Sequence, residues 1–422
     1  MKTAVVLSFA RGASMFRHDL LDAPESVRFV LIVSDRELST VPADSYAYFD
    51  RVHAVPCGVQ DPEPMDYSVV DPDAARAALR EVLRETGSDE VTLHCFDEIM
   101  LLFAAELRAE FGIPGPGPEQ IRLFRDKCLM KERLVAAGVR VPAFGRFDVL
   151  AAREDVGGYF RGIVEEVGLP FILKPVDAAG SLGVHRVGSA EEFAALVPGV
   201  TVGYEYEEFV AGTMYSVNQV SQNGRTIQGG VTEYLVNTLD VAHGKVNADI
   251  NLDDSDPRVA RMVAFADAAL DALGRPDGAT HLELFHTAAD ELVFLEVAAR
   301  FKGLAGLAAM ERNYGTALVN LAMEVESGLT SRPYDGTRVP CFDAVIPLRP
   351  GTVAELFAPD IRSEFEISWK VAAGDVVEGT DSLFSTGATF LVWNEDYSVL
   401  YEDFQRLADY RPIRYQTAGA GV

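Results

Sequence analysis

The segment His281–Arg300 reads HLELFHTAADELVFLEVAAR. It divides into two apolar runs, 281–285 and 292–297, around Ala288-Ala289-Asp290-Glu291, which has the make-up of a tight turn. A turn centred between Ala289 and Asp290 sets Glu283 opposite Glu296 on neighbouring strands. Two carboxylates so placed repel each other, and no structural role explains keeping both. A divalent cation does explain it, because Mg²⁺ takes carboxylate oxygens together with substrate phosphates. Strand alternation puts Glu296, Ala298 and Arg300 on one face, so a guanidinium stands beside the expected metal site. The alternative is a solvent-facing edge with ordinary surface charge. It fits poorly with the apolar flanks Leu292-Val293-Phe294-Leu295 and Val297.

Working outward, Phe171-Ile172-Leu173-Lys174-Pro175 reads as a strand leading into Asp177-Ala178-Ala179-Gly180-Ser181-Leu182-Gly183, then a second strand at 184–187. Small residues let backbone N–H groups approach phosphate oxygens, and Lys174 adds a point charge. The loop is not a Walker A loop, and there is no G-x-G-x-x-G; taken alone it is equally a plain hairpin turn. Glu207-Glu208-Phe209-Val210 reads as a short extended link that offers backbone groups, and Arg125-Asp126-Lys127 as part of a helix spanning 119–137.

The rest of the chain alternates strand and helix signals. Residues 2–10, 27–33 and 91–96 read as buried strands, with helical sequence between the first two and again at 73–86, which implies a parallel α/β sheet. Pro114-Gly115-Pro116-Gly117-Pro118 closes that unit. From 141 to 233 the sequence reads as short strands with Gly-rich turns. Asp256 and Pro257 open a helix ended by Gly274, with apolar residues at helical spacing. After a Gly-rich turn, 316–326 reads as a helix, and the residues from 331 onward as short strands with turns.

Of the 422 residues, 48% are hydrophobic and 24% charged, and no apolar run is long enough to span a bilayer. The formal charge of −27 argues against a nucleic-acid or acidic-membrane partner, since binding a polyanion needs clustered Lys and Arg. Four cysteines stand far apart with no CxxC pair, which suggests neither a zinc site nor a disulfide framework and points to the reducing cytoplasm.

Six segments occur in a telling order: CFDE at 95–98, FRDKCLMKERLVAAGVRVP at 124–142, LPFILKPVDAAGSLGV at 169–184, EEFVAG at 207–212, HLELF at 281–285 and FLEVAARFKG at 294–303. Together they resemble the ATP-grasp superfamily, within it the L-amino-acid ligase and biotin-carboxylase-like branch. The resemblance implies a three-domain α/β fold: an N-terminal Rossmann-like parallel sheet over 1–117, a central two-lobed nucleotide domain over 118–330 with a flexible lid at about 140–210, and a C-terminal α+β unit over 331–422. It implies that Lys127 and Lys174 contact the nucleotide phosphates under a flap of Gly180, Ser181, Leu182 and Gly183. Glu207, Glu208, Phe209 and Val210 then hold adenine, Glu283 and Glu296 bind Mg²⁺ (Mn²⁺ being an alternative), and Arg300 steadies the acyl phosphate. Two positions depart from the family: Ala298 stands where Asn is frequent, and Met214 where an acid often grips the ribose.

The implied activity is ATP-dependent ligation of a carboxylate to an amine through an acyl phosphate, with an amino acid among the substrates and a homodimer by analogy. The alternatives are an ATP-grasp ligase or carboxylase with a different acceptor, and a nucleotide-binding module that has lost catalysis. Lys302 is expected to reach the substrate. Tyr215, Asn218, Tyr234, Asn247, Arg312 and Tyr314 are candidates for shaping its pocket, and His185, His281 and His286 for proton handling.

Overall fold

The computed structural model describes residues 1–58, 69–241, 244–334, 336–380 and 386–416. The chain opens with four parallel strands, β1 (Lys2–Leu7), β2 (Val27–Ser34), β3 (Arg51–Val55) and β4 (Val91–His94), in the order β3-β2-β1-β4. The near-continuous apolar sequence of β1 and β2 follows from burial on both faces. Val5, Leu7, Val30 and Ile32 pack against Ala75, Leu79 and Val82 of the helix Pro72–Thr86. Ala4, Val6, Phe29 and Leu31 pack on the other side with Leu318, Ala322 and Met323 of the helix Leu318–Ser327. The expected helix between β1 and β2 is instead three 3₁₀ turns, Ala10–Met15, His18–Leu20 and Pro24–Ser26. Gly12 lets the Phe9 ring fold over the backbone, where a Cβ would come within 2.0 Å of it; Gly12 and Pro24 also leave no stretch long enough to sustain an α-helix.

The expected helix over 119–137 is two helices, Pro118–Arg122 and Lys127–Ala136. Asp126 makes the break. Its carboxylate accepts from the N–H groups of Cys128 and Leu129, capping the second helix and setting Lys127 in its first turn.

A second sheet is antiparallel, with β5 (Phe144–Arg146), β6 (Phe171–Pro175), β7 (His185–Val187) and β8 (Tyr204–Glu208) in the order β5-β8-β6-β7. Three helices absent from the sequence reading accompany it: Val149–Glu154, Val156–Val167 and Ala190–Leu196. Gly157, Gly158 and Gly162 lower the helical propensity of the second and hid it. Its start is fixed by Asp155, which accepts from Gly158 N–H, and Ile163 and Val167 are buried along one side.

Among the described residues the largest sheet has eight strands. β9 (Gly212–Gln222), β10 (Arg225–Tyr234), β11 (Asn247–Asn251), β12 (Gly278–Thr287) and β13 (Leu292–Ala298) are joined by β14 (Cys341–Pro347), while β15 (Gly351–Leu356) leaves for a small sheet with β17 (Val376–Val377) and β19 (Ile413–Tyr415). With β16 (Glu364–Trp369) and β18 (Thr386–Trp393), the large sheet runs β13-β12-β9-β10-β11-β14-β18-β16. The helix Pro257–Leu273 has the expected cap Asp256 and stop Gly274, and packs Met262, Ala266 and Leu270 against Val217, Val231 and Leu282. The helices Leu304–Tyr314 and Tyr397–Arg406 replace expected turn and strand sequence. Strands from both sides of residue 331 share the large sheet, through the β11–β14 pairing. Residues 335, 381–385 and 417–422 of the expected C-terminal unit lie outside the described residues.

Candidate active site

The hairpin β12–β13 brings Glu283 opposite Glu296, but by a route the sequence reading did not foresee. Next to the turn the pairs are His286↔Leu292, Phe285↔Val293 and Leu284↔Phe294, one residue out of the expected register. A bulge between Glu283 and Leu284 restores it, so the two glutamates face each other because of the bulge. Glu283 accepts a hydrogen bond from Tyr234 OH at 2.8 Å and lies 3.3 Å from His281 Nε2. Burial alone would raise its pKa; the hydrogen bonds from His281 and Tyr234 outweigh that and hold it below the ordinary carboxylate value. Glu296, partly exposed, lies 3.3 Å from Lys127 Nζ, which also donates to the Ala178 carbonyl at 2.7 Å.

Behind these lies a buried ionic cluster. Lys131 and Glu205 are fully buried. Lys131 Nζ lies 2.9 Å from Glu205 Oε1 and 2.6 Å from Glu207 Oε2, and Lys174 Nζ 2.6 Å from Glu207 Oε1. Two ammonium and two carboxylate groups balance, which is the condition for keeping charges out of water. Burial lowers the Lys174 pKa, but the carboxylates of Glu207, Glu205 and Glu296 prevail and hold it above its ordinary value. Lys174 therefore remains a cation at the cavity wall. The Glu207 side chain belongs to this cluster, a role the sequence reading missed. The cluster is contributed by a helix and two strands distant in sequence, so no local motif signals it.

A third constellation was also missed. Glu98 follows the N-terminal sheet and is almost wholly buried, with Arg300 Nε 2.5 Å from Oε2 and the Arg125 guanidinium on its other oxygen. Burial opposes its ionisation, yet Arg300, Arg125 and Lys127 bring its pKa down to about 2. Arg300 also donates to its neighbour's carbonyl, Phe301 O, at 2.7 Å. Glu98 thus fixes the direction of Arg300. Its segment, CFDE, was visible in the sequence, but its role was not. Glu98→Gln is expected to lower kcat about 10-fold or more while leaving the KM for ATP within about threefold. Steady-state kinetics on the purified variant check this.

All three groups open onto one cavity of about 820 Å³. It is lined by Lys127, Lys174, Glu207, Glu208, Phe209, Val210, Glu283, Glu296 and Arg300, with Ala178 to Leu182 of the loop. Gly183 is not part of the lining. It turns the loop at φ +67°, where a Cβ would meet Tyr204 Oη at 2.9 Å and Pro175 Cγ at 3.0 Å. Of the six pocket candidates, Tyr234 and Asn247 line the cavity. Tyr215 bonds Arg258, Asn218 bonds His281, Arg312 stacks on Trp393, and the Tyr314 hydroxyl bonds Asn251. His281 is held between Asn218 and Glu283, and His286 pairs with Asp290. Burial lowers the pKa of His185, which is not in the lining. Lys302 and Met214 do line the cavity, and Ala298 is buried opposite His281.

Among the described residues, no group of three or more His, Cys, Asp or Glu side chains converges as an ion cage. Two facing carboxylates fit Mg²⁺ instead, which typically takes one or two carboxylates and completes its shell with phosphate oxygens and water. Among the described residues, no helix is long and apolar enough to cross a membrane.

No protein-family model matches the chain. It is 26% identical over 341 residues to an L-arginine-specific L-amino acid ligase of Bacillus subtilis, covering 74% of this chain and 77% of the relative. The fold matches the crystal structure of an L-amino acid ligase from Bacillus licheniformis with a TM-score of 0.69 at 18% identity, over 99% of both chains. It matches the biotin carboxylase domain of 2-oxoglutarate carboxylase from Hydrogenobacter thermophilus, solved with MgADP, ADP and bicarbonate, with a TM-score of 0.61 at 16% identity, over 98% of this chain and 91% of that one. The chain has the ATP-grasp fold. In sequence it is similar to L-amino acid ligases, in keeping with the resemblance carried by its six segments.

Proposed function

We propose that this protein is an ATP-dependent carboxylate–amine ligase that joins an acid to an amine, one of them an amino acid, through an acyl phosphate. The observation that carries the reading is the convergence of Lys127, Lys174, Glu283, Glu296 and Arg300 on one cavity. Similarity to an L-amino acid ligase over three quarters of the chain supports it.

Phosphoryl transfer needs positioning and charge neutralisation more than a side-chain nucleophile. Lys127 and Lys174 supply two cations for the phosphates, and the loop at 180–183 offers backbone N–H groups above them. The backbone at 207–210 receives adenine. Glu283 and Glu296 would hold Mg²⁺, or Mn²⁺ in its place, and the bound ion would supply charge neutralisation at the phosphoryl group. Arg300, aimed by Glu98, steadies the acyl phosphate and the oxyanion that forms when the amine attacks. The four-stranded sheet β5–β8, within a lid over about 140–210, closes the cavity against water, which would otherwise hydrolyse the intermediate.

The proposed division is an N-terminal unit over 1–117, a nucleotide unit over 118–330 and a C-terminal unit over 331–422. The cytoplasm suits the four unpaired cysteines, and a homodimer is the expected assembly. Phosphate release from ATP and Mg²⁺ across a pairwise panel of amino acids and organic acids tests the function. The expected result is pair-dependent release of phosphate and ADP that EDTA abolishes and excess Mg²⁺ restores. Release of AMP, or release indifferent to the acid present, overturns the reading.

A further inference from the structure

A second pair of opposed carboxylates lies in the same cavity. Tyr234, Asp249 and Asp343 stand directly across from one another on β10, β11 and β14, forming one cross-strand row, and all three side chains line the cavity. Asp249 and Asp343 are both buried, and like charges directly opposite repel. The ammonium of Lys302 bridges them: it contacts Asp249 Oδ1 and lies 3.5 Å from Asp343 Oδ1, with Tyr234's ring centroid at 5.2 Å. Gly306 makes room for this arm, since a Cβ there would come within 2.5 Å of Lys302 Cδ. Among the described residues Lys302 is the one ammonium that reaches both carboxylates. Burial raises the Asp343 pKa and lowers that of Lys302, so a second cation in the cavity is what would fully ionise the pair. Lys370, further along the lining, is engaged with Thr386 Oγ1 at 3.0 Å.

An independent observation points the same way. Asn247 lies two residues from Asp249 on β11, hence on the same face, and it is 5% exposed and lines the cavity. Its Oδ1 is buried with no hydrogen-bond partner among the described residues. A buried acceptor left unpaired is costly, and a donor-bearing ligand removes that cost.

We propose that Asp249, Asp343 and Asn247 recognise a positively charged nitrogen of the amino-acid substrate, an ammonium or guanidinium group, with Lys302 as the resident counter-ion. This rests on the ligase reading and narrows it. The nitrogen that attacks an acyl phosphate must be neutral, so a nitrogen gripped as a cation is not the nucleophile. It is the α-ammonium of the amino acid whose carboxylate is activated, or a cationic side chain. Tyr234 joins this site to the reacting end, because its hydroxyl bonds Glu283 while its ring flanks Lys302.

The test is equilibrium binding to the full chain in Mg²⁺ and a non-hydrolysable ATP analogue, with alanine, arginine and their Nα-acetyl derivatives as probes. Loss of binding on acetylating alanine identifies the α-ammonium. Binding of acetyl-arginine without alanine identifies a side-chain cation. Either result supports the site. In both cases Asp343→Asn should raise the Kd of the cationic probe about 10–100-fold and Asp343→Glu should restore most of it. Asn247→Ala leaves no buried charge behind, so it is the variant to use if Asp343→Asn fails to fold; its expected loss is about 3–10-fold. Equal binding of free and acetylated alanine together with equal binding of arginine and alanine overturns the proposal, as does an unchanged Kd in these variants. Acid-dependent phosphate release on the same samples reports separately on the ligase reading.

Discussion

Glu296→Gln is expected to lower acid-dependent phosphate release by roughly a thousandfold, the several kcal/mol that a bound metal contributes to neutralising a phosphoryl transition state. The substitution keeps the side chain's size and removes one of the two facing negative charges. Folding should survive it, because Glu296 is partly exposed and its partner Lys127 keeps the Ala178 carbonyl. The residual activity should need more Mg²⁺ for half-saturation than the parent, and a titration of rate against Mg²⁺ reads this directly. Turnover within threefold of the parent would remove Glu296 from the metal site.

The second large effect is on stability. Lys131→Met should destabilise the fold by about 3–5 kcal/mol, because it leaves a buried carboxylate without its counter-charge. Glu205 would keep the Cys128 thiol at 3.0 Å and the Lys174 ammonium at 3.8 Å, while Glu207 would keep Lys174 at 2.6 Å. One ammonium would then serve two buried carboxylates. Adding Glu205→Gln balances the charge again, so the double variant should recover much of the loss, an interaction that a double-mutant cycle in urea exposes. A single variant as stable as the parent would show that the cluster is open to water.

The β12–β13 hairpin was readable because its signal is local. Two apolar runs, a turn and a facing pair of glutamates lie within twenty residues, although the bulge after Glu283 set the register and the turn itself was misplaced by one residue. The parallel sheet was readable for a similar reason, since β1 and β2 carry long apolar runs buried on both faces. Helices rich in glycine were lost to propensity, as in Val156–Val167, and Asp126 was read as part of a helix when it starts one. Glu98, Lys131 and Glu205 could be assigned only after the chain had folded, because each is defined by partners from distant segments. The Asp249–Asp343 row is of the same kind, created when β14 pairs with β11.

The acyl phosphate is the centre of the account, and isotope transfer tests it most directly. With both carboxylate oxygens of the acid substrate labelled with ¹⁸O, the reaction should deliver one labelled oxygen to inorganic phosphate and leave the other in the amide, with ADP as the nucleotide product. Label in AMP, or phosphate free of label while amide forms, would contradict it.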